Sequence, residues 1–246
     1  MAGCGSEQRP FAKRFDIGGY TLFLECHGHG DPTVLLEAGL GGDHVDAWQR
    51  IEGDVRRETR TCAYDRAGLG RSDPRPGNRP APVRLVASEL HNLLDVANVD
   101  RPFVYVGHSI GGIYSLAYSA DYPDEVAGAV YVDGTDPFEA TGVLGDGAGG
   151  VDYGGPYPPL LQVRLGDRPA IFLSAVNSGK EYLKGSTNGR LVEAVGSGHG
   201  IQDDNPDLVL EAIREVVESV RSGDELPPCK ESGLPKVGGR CLARLP

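Results

Sequence analysis

Apolar runs alternate along this chain with segments of helical periodicity, and this alternation restricts the fold more than any other feature. Apolar runs that begin at Thr33, Phe103, Val126 and Pro169 indicate strands. Residues 81–99 carry apolar side chains at helical spacing. Because strands that are apolar throughout are buried on both faces, the sequence predicts an α/β protein. We expect a mostly parallel, twisted sheet of about eight strands with helices on both faces.

The two ends of this pattern carry turn and capping signals. A Gly-Gly pair at 18–19 separates two short strands, which predicts a hairpin and an antiparallel N-terminal edge of the sheet. The last helix begins after Asp204 or Asn205, either of which can cap it, and ends near Gly223.

A chain of 246 residues suits one α/β domain, which we expect over residues 12–223. Residues 1–11 form an N-terminal lead and residues 224–246 a C-terminal tail. Residues 134–168, here called the flap, are rich in glycine and proline and show little periodicity. Long loops of this kind are usually functional, so we interpret the flap as a mobile cover over the site.

The five cysteines bear on the cellular compartment. Cys229 and Cys241 bracket a short loop in the tail, and a disulfide there would indicate an oxidising compartment. Cys26 and Cys62 lie in strand-like segments, where they either pair or pack as free thiols. Cys4 follows Ala-Gly, which is similar to the end of a bacterial lipoprotein signal; the alternative is a chance N-terminus. We expect a secreted or cell-surface protein, with a cytoplasmic one as the alternative.

Charge and hydropathy limit the partners. The formal net charge of −11 disfavours nucleic acids and anionic membrane surfaces. No run of about 18 apolar residues occurs, so we expect no membrane span. His27 and His29 form an H-x-H pair without an apparent third ligand. We therefore expect no metal at this pair. No cofactor is expected either, and the expected partner is a small molecule.

Residues 107–111, here called the elbow, have the sequence GHSIG and match the pattern G-x-S-x-G. A predicted strand precedes the elbow and a predicted helix follows it. Side chains at the two glycine positions would collide with the strand or the helix, and the strained turn would hold Ser109 exposed at a helix N-terminus. The alternative is an ordinary glycine-rich turn between a strand and a helix.

A serine hydroxyl needs a base, and that base needs a carboxylate to orient it. His199 is the only histidine after Ser109, and it directly follows the last predicted strand. Asp133 follows the strand after the elbow helix and is the predicted acid, with Asp136 as the first alternative and Asp152 as a weaker one. The resulting order along the chain is Ser, Asp, His.

The oxyanion of an acyl-transfer reaction needs two N–H donors. One is predicted to be the N–H of Ile110, the residue after the serine. The other is expected from residues 39–42, here called the oxyanion loop, which read GLGG. We choose the Leu40 N–H by position, with Gly41 as the alternative.

Four segments carry a resemblance to the α/β-hydrolase superfamily over residues from about 12 to 223. They read VLLEAGLGG, YDRAGLGRSDP, VGHSIGGIYSLAYSADYPDEVAGAVYVDG and GSGHGIQDDNPDLVLEAI. The resemblance implies the α/β-hydrolase fold and the esterase- and lipase-like branch, some members of which carry the acid where Asp133 stands. We interpret Asp65 and Arg66, which are also family-like, as structural ties that hold a loop near the site, with a catalytic role as the alternative. Trp48 either lines the pocket or packs.

The chain departs from the family pattern in two places. The familiar His-Gly before the oxyanion loop is Ala38-Gly39, preceded by Glu37. The helical cap of the family is replaced by the flap. The resemblance therefore implies a compact hydrolase with an open site.

Three functions follow as hypotheses. The first is a serine hydrolase that cleaves a carboxylic ester or lactone through an acyl-enzyme. The second is a cofactor-free perhydrolase or acyltransferase that uses the same three residues. The third is a ligand-binding protein of the same fold without catalytic activity. The sequence does not identify the substrate.

Overall fold

A computed structural model describes residues 9–137, 140–153, 165–175, 179–183 and 186–242. Within these residues a central sheet of nine strands organises the chain. In spatial order the strands are β1 (Phe11–Asp16), β2 (Thr21–His27), β4 (Thr61–Asp65), β3 (Val34–Glu37), β6 (Phe103–His108), β7 (Val126–Val132), β10 (Ala170–Ser174), β11 (Gly189–Ala194) and β12 (Gly239–Cys241).

The middle of the sheet is parallel and both of its edges are antiparallel. The strands β4, β3, β6, β7, β10 and β11 pair in parallel, whereas β1 pairs antiparallel with β2 and β2 with β4. The predicted parallel sheet and antiparallel N-terminal edge are confirmed. The described sheet has one strand more than the expected eight because the tail adds β12, which pairs antiparallel with β11. No local sequence pattern predicts this pairing.

Helices cover both faces of the sheet, as predicted. The side chains of β3 alternate between two buried clusters: Leu35 joins one, while Val34 and Leu36 join the other. The first cluster contains apolar residues of two helices and the second those of the other four. In chain order the helices are α1 (His44–Trp48), α2 (Glu52–Glu58), α3 (Val83–Val96), α4 (Ile110–Asp121), α5 (Ile201–Asp204) and α6 (Pro206–Ser222), of which α3 and α4 belong to the first cluster.

The helix α6 has the predicted ends. The side chain of Asn205 accepts a hydrogen bond from the Leu208 N–H, and Gly223 terminates the helix in the left-handed region at φ +76°. None of the described helices combines the length and the apolar character that a bilayer-spanning segment requires.

Part of the flap is ordered against the body of the domain. The strands β8 (Val143–Leu144) and β9 (Val151–Asp152) form a three-stranded sheet with β5 (Ala81–Pro82). The expectation of a loop without regular structure is therefore wrong for these residues, because pairing with a distant strand orders them. Residues 138–139 and 154–164 of the flap lie outside the described residues, and its mobility stays a prediction.

Both cysteine pairs are disulfides. Cys26 and Cys62 face each other directly across β2 and β4, with a Cα–Cα distance of 4.1 Å, and both are fully buried. Cys229 and Cys241, which lies in β12, form a disulfide within the tail with a Cα–Cα distance of 5.9 Å. The sequence left both pairings open, and cross-strand register decides the first of them. Cys4 lies outside the described residues.

Candidate active site

The strands β6 and β7 bring two of the predicted residues to one edge of the sheet. They are parallel neighbours, and His108 stands opposite Val132 in their register. Ser109 and Asp133 follow these residues, so they leave the sheet side by side. The Ser109 N–H donates to the Val132 carbonyl at 3.0 Å, and the Thr135 N–H donates to the Ser109 carbonyl at 3.0 Å.

The elbow has the strained geometry that its sequence predicts. Ser109 adopts φ +54° and ψ −122° between β6 and α4, a conformation that few residues other than glycine adopt. A Cβ atom at Gly107 would lie 2.6 Å from the Gly111 carbonyl oxygen, and one at Gly111 would lie 2.7 Å from the Glu37 carbonyl oxygen. The steric reason for both glycines is confirmed.

We expect Gly111→Ala to lower the free energy of unfolding by about 3 kcal/mol, since the new methyl group collides with backbone rather than with a movable side chain. Urea denaturation measures the change. Gly53→Ala is the matched control, because a Cβ atom there meets no atom within 4 Å and the residue lies within α2. That control should leave stability unchanged or raise it. Equal stability of the two variants would contradict the close packing of the elbow.

Asp133 and His199 are hydrogen-bonded to each other. His199 Nδ1 lies 2.7 Å from Asp133 Oδ2, and the Ala175 N–H donates to Asp133 Oδ1 at 2.8 Å. Both carboxylate oxygens are therefore fixed. The aspartate is 8% exposed, whereas the histidine side chain is 59% exposed. Because a carboxylate only accepts, Nδ1 donates to it, which leaves Nε2 of a neutral ring as an acceptor. Asp133, rather than the alternative Asp136, is the acid that the structure brings to His199.

The loop that carries His199 is held against the elbow. His108 Nε2 donates to the His199 carbonyl oxygen at 3.0 Å, and the centroids of the two rings are 4.8 Å apart. Burial lowers the pKa of His108, which favours the neutral ring. Through this contact His108 supports the elbow and the loop that carries His199. Trp48 is fully buried, edge-on to His108 with a centroid distance of 6.5 Å, which favours packing.

The oxyanion loop touches the elbow through Gly39. A Cβ atom at this position would lie 2.9 Å from His108 Nδ1 and 3.4 Å from Ser109 Cβ, so only glycine fits without displacement. The next residue, Leu40, is 41% exposed at the mouth of the site. Ile110 is the first residue of α4, directly after Ser109. The roles of the Leu40 and Ile110 N–H groups stay predictions.

A buried polar network lies beneath the oxyanion loop. Glu37 is fully buried and accepts hydrogen bonds from the hydroxyls of Tyr64 (2.5 Å) and Tyr105 (3.0 Å) and from Arg66 (2.5 Å). Burial raises the pKa values of both tyrosines, which keeps them as donors. Sequence reasoning missed Glu37 as a member of the site. The available signal was a charged residue at the end of an otherwise apolar strand.

Arg66 and Asp65 act as the structural ties expected of them. Arg66 donates to the Ala38 carbonyl at 2.8 Å and also to the Gly39 carbonyl. Asp65 accepts from the His44 ring at 2.7 Å and from the Arg71 N–H at 2.9 Å. These two residues therefore join the oxyanion loop and the start of α1 to the loop after β4.

Neither of two cavities among the described residues is lined by Ser109, Asp133 or His199, although the smaller one touches the oxyanion loop. A cavity of about 250 Å³ lies between the oxyanion loop and the flap, lined by Leu40, Asn78 and Ala148 among others. A cavity of about 850 Å³ lies at the tail, where its lining includes Arg190 and the Cys229–Cys241 disulfide but none of Ser109, Asp133 and His199. Cavity size alone therefore does not identify the site.

Comparison with known proteins agrees with the fold. The family model described as the alpha/beta hydrolase fold matches residues 32–154, half of the chain. The chain therefore belongs to the α/β-hydrolase family, and the predicted fold class is confirmed.

Individual curated relatives match a slightly smaller share of this chain than the family model does. A transporter candidate from Hormonema carpetanum, efuK, is 35% identical over 124 residues, which are 48% of this chain and 18% of that protein. The chain spans less than half the length of the curated relatives with the leading matches.

Two solved structures share the fold over most of their length. A thermophilic esterase from Thermogutta terrifontis is 19% identical over 87% of this chain and 99% of its own, with a TM-score of 0.68. An enol-lactonase from Burkholderia xenovorans is 16% identical over 84% of this chain and 100% of its own, with a TM-score of 0.69. At these identities the likeness establishes the shared fold.

Proposed function

We propose that this protein is a serine hydrolase that cleaves a carboxylic ester or lactone through an acyl-enzyme. Ser109 is the nucleophile, His199 the general base and Asp133 the residue that orients His199. The observation that carries the proposal is the 2.7 Å hydrogen bond between Asp133 and His199 at the sheet edge where Ser109 occupies a strained elbow. An esterase and an enol-lactonase among the fold neighbours are examples of such substrates on this fold.

In the proposed first half-reaction, Ser109 Oγ attacks the carbonyl carbon while His199 Nε2 accepts the hydroxyl proton. The carbonyl π electrons move to the oxygen, which the N–H groups of Leu40 and Ile110 stabilise. When the intermediate collapses, the C–O bond to the leaving alcohol breaks, and the imidazolium returns the proton to that alcohol. Asp133 stabilises the imidazolium throughout and stays ionised.

In the second half-reaction, water replaces the alcohol. His199 accepts a proton from the water while the water oxygen attacks the acyl carbon. The tetrahedral intermediate then collapses, the bond between the acyl carbon and Ser109 Oγ breaks, and His199 returns the proton to Oγ. The products are the carboxylic acid and the free enzyme. No step requires a metal or an organic cofactor.

The two disulfides support a secreted or cell-surface location, because such bonds persist in oxidising compartments. This location is part of the proposal.

Stopped-flow kinetics with a panel of p-nitrophenyl esters of increasing acyl length tests the proposed function. We expect a burst of p-nitrophenol stoichiometric with the enzyme, followed by slower turnover, for the acyl length that reacts fastest. Added methanol should partition the acyl-enzyme between acid and methyl ester, and that ratio separates hydrolysis from acyl transfer. Absence of hydrolysis across esters and γ- and δ-lactones would overturn the proposal.

A further inference from the structure

We infer that Arg66, anchored by the buried carboxylate of Glu37, is a positioning residue that aims the Leu40 N–H at the oxyanion. The inference rests on the proposed function and adds a role for two residues beyond the three that react. Its basis is the contact between the Arg66 guanidinium and the backbone of the oxyanion loop.

The geometry of one peptide group links Arg66 to the proposed donor. The Gly39 carbonyl and the Leu40 N–H belong to the same planar, trans peptide, so they point in opposite directions. Arg66 donates to that carbonyl, and the Gly42 N–H approaches the same oxygen at 3.4 Å. Gly41, at φ +70°, completes the turn. Fixing the carbonyl oxygen therefore fixes the direction of the N–H on the other side of the peptide.

The position of this peptide is also set relative to the nucleophile. The backbone at Gly39 leaves room for no side chain beside the nucleophile, since an added Cβ atom would lie 3.4 Å from Ser109 Cβ. The peptide that follows Gly39 thus begins at the elbow itself. A rotation of this peptide would change the direction of the Leu40 N–H relative to Ser109.

The charge of Arg66 contributes as well as its hydrogen bonds. The Arg66 side chain is 4% exposed and that of Glu37 1% exposed, so water screens the pair little. Burial raises the pKa of Glu37, and the charge of Arg66 and the hydrogen bonds from Arg66 and the two tyrosines oppose this rise. A cation at a peptide oxygen polarises the whole group, which makes its N–H a stronger donor. The hydroxyls of Tyr64 and Tyr105 occupy the second oxygen of Glu37. The carboxylate is therefore fully hydrogen-bonded and keeps Arg66 in place.

A purely structural role for Arg66 predicts different kinetics from a positioning role. The oxyanion exists only in the transition state and the tetrahedral intermediate, so a misaimed donor lowers kcat and leaves KM nearly unchanged. Loss of general packing instead lowers stability without a selective effect on kcat. The change in kcat, compared with the change in stability, therefore decides between a positioning role and a purely structural one.

The test uses the double variant Glu37→Gln/Arg66→Met, which removes the tie without leaving one buried charge unpaired. We expect kcat for p-nitrophenyl butyrate to fall by about 10- to 100-fold, with KM within about twofold of the wild-type value. The affinity for an alkyl boronic acid, which forms a tetrahedral adduct with the serine, should fall by the same factor as kcat/KM. Arg66→Lys keeps the charge but cannot span both carbonyls and Glu37, so it should lose about 10-fold in kcat.

Arg190→Met is the matched control. Arg190 is also buried and also donates to backbone carbonyls, among them those of Gly189, Leu226 and Pro227, but it lies in β11 beside the tail. We expect it to lower the melting temperature comparably while kcat stays within twofold of wild type.

The outcomes separate the inference from the proposed function. If the wild-type protein neither hydrolyses the ester nor binds the boronic acid, the proposed function fails and the inference fails with it. If the wild type is active and the folded double variant and Arg66→Lys both keep kcat within twofold, only the inference is overturned. A rise in KM in both variants, with kcat unchanged, would overturn the inference as well. Should the double variant not fold, Arg66→Lys alone decides by the same criteria.

Discussion

Replacing Ser109 with alanine is expected to lower kcat/KM for p-nitrophenyl butyrate by about 10⁶-fold, because no other group takes over the nucleophilic step. The exchange removes one oxygen and leaves the glycine contacts of the elbow intact, so the fold should survive. Initial rates at substrate concentrations below KM measure the effect. Circular dichroism checks that the variant is folded.

The matched control for this variant is Ser119→Ala. Ser119 is a buried serine on α4, the same helix that the elbow begins. We expect the control to keep activity within twofold of wild type. A Ser109→Ala protein that retained more than about 1% of the wild-type rate would be incompatible with a serine nucleophile at this position.

Asp133→Asn should lower kcat by about 10⁴-fold without unfolding the protein. The Ala175 N–H donates to Asp133 Oδ1, so an asparagine would keep its carbonyl oxygen there and turn its NH₂ group towards His199. His199 Nδ1 would then have to accept, which moves the ring proton to Nε2. An Nε2 that carries a proton cannot accept one from Ser109. The loss therefore follows from the wrong tautomer rather than from a missing side chain.

Steady-state kinetics of Asp133→Asn beside Asp136→Asn measures this effect. Asp136 was the alternative acid in the sequence, and its variant should stay within about threefold of wild type. The reverse pattern, with the larger loss in the Asp136 variant, would show that the 2.7 Å contact between Asp133 and His199 is not the functional one.

Local sequence signals were sufficient for the elbow and the helix ends. The G-x-S-x-G pattern is a run of five residues, and Gly107 is required by a collision with the Gly111 carbonyl within that run, although the collision at Gly111 is with the distant Glu37 carbonyl. The cap of α6 at Asn205 is equally local. The alternation of apolar strands and helices is likewise read from short consecutive segments, and it predicted the parallel sheet correctly.

Other features depend on which distant strands pair, and spacing along the chain does not contain that information. Asp133 and Asp136 are three residues apart in the sequence, and the β6–β7 register brings the first of them beside Ser109. The pairing of Cys26 with Cys62 likewise needs the order of β2 and β4. The Glu37–Arg66 tie was missed because it joins the ends of two strands, β3 and β4, whose adjacency is a tertiary property.

Mass spectrometry after reaction with a fluorophosphonate ester tests the central claim most directly. If Ser109 is the activated nucleophile, the intact protein gains one phosphonyl adduct, and the peptide that contains Ser109 carries it. His199→Ala should slow this labelling strongly, because the base that removes the hydroxyl proton is missing. A protein that turns over esters while Ser109 remains unmodified, or one labelled at a different serine, would contradict the account.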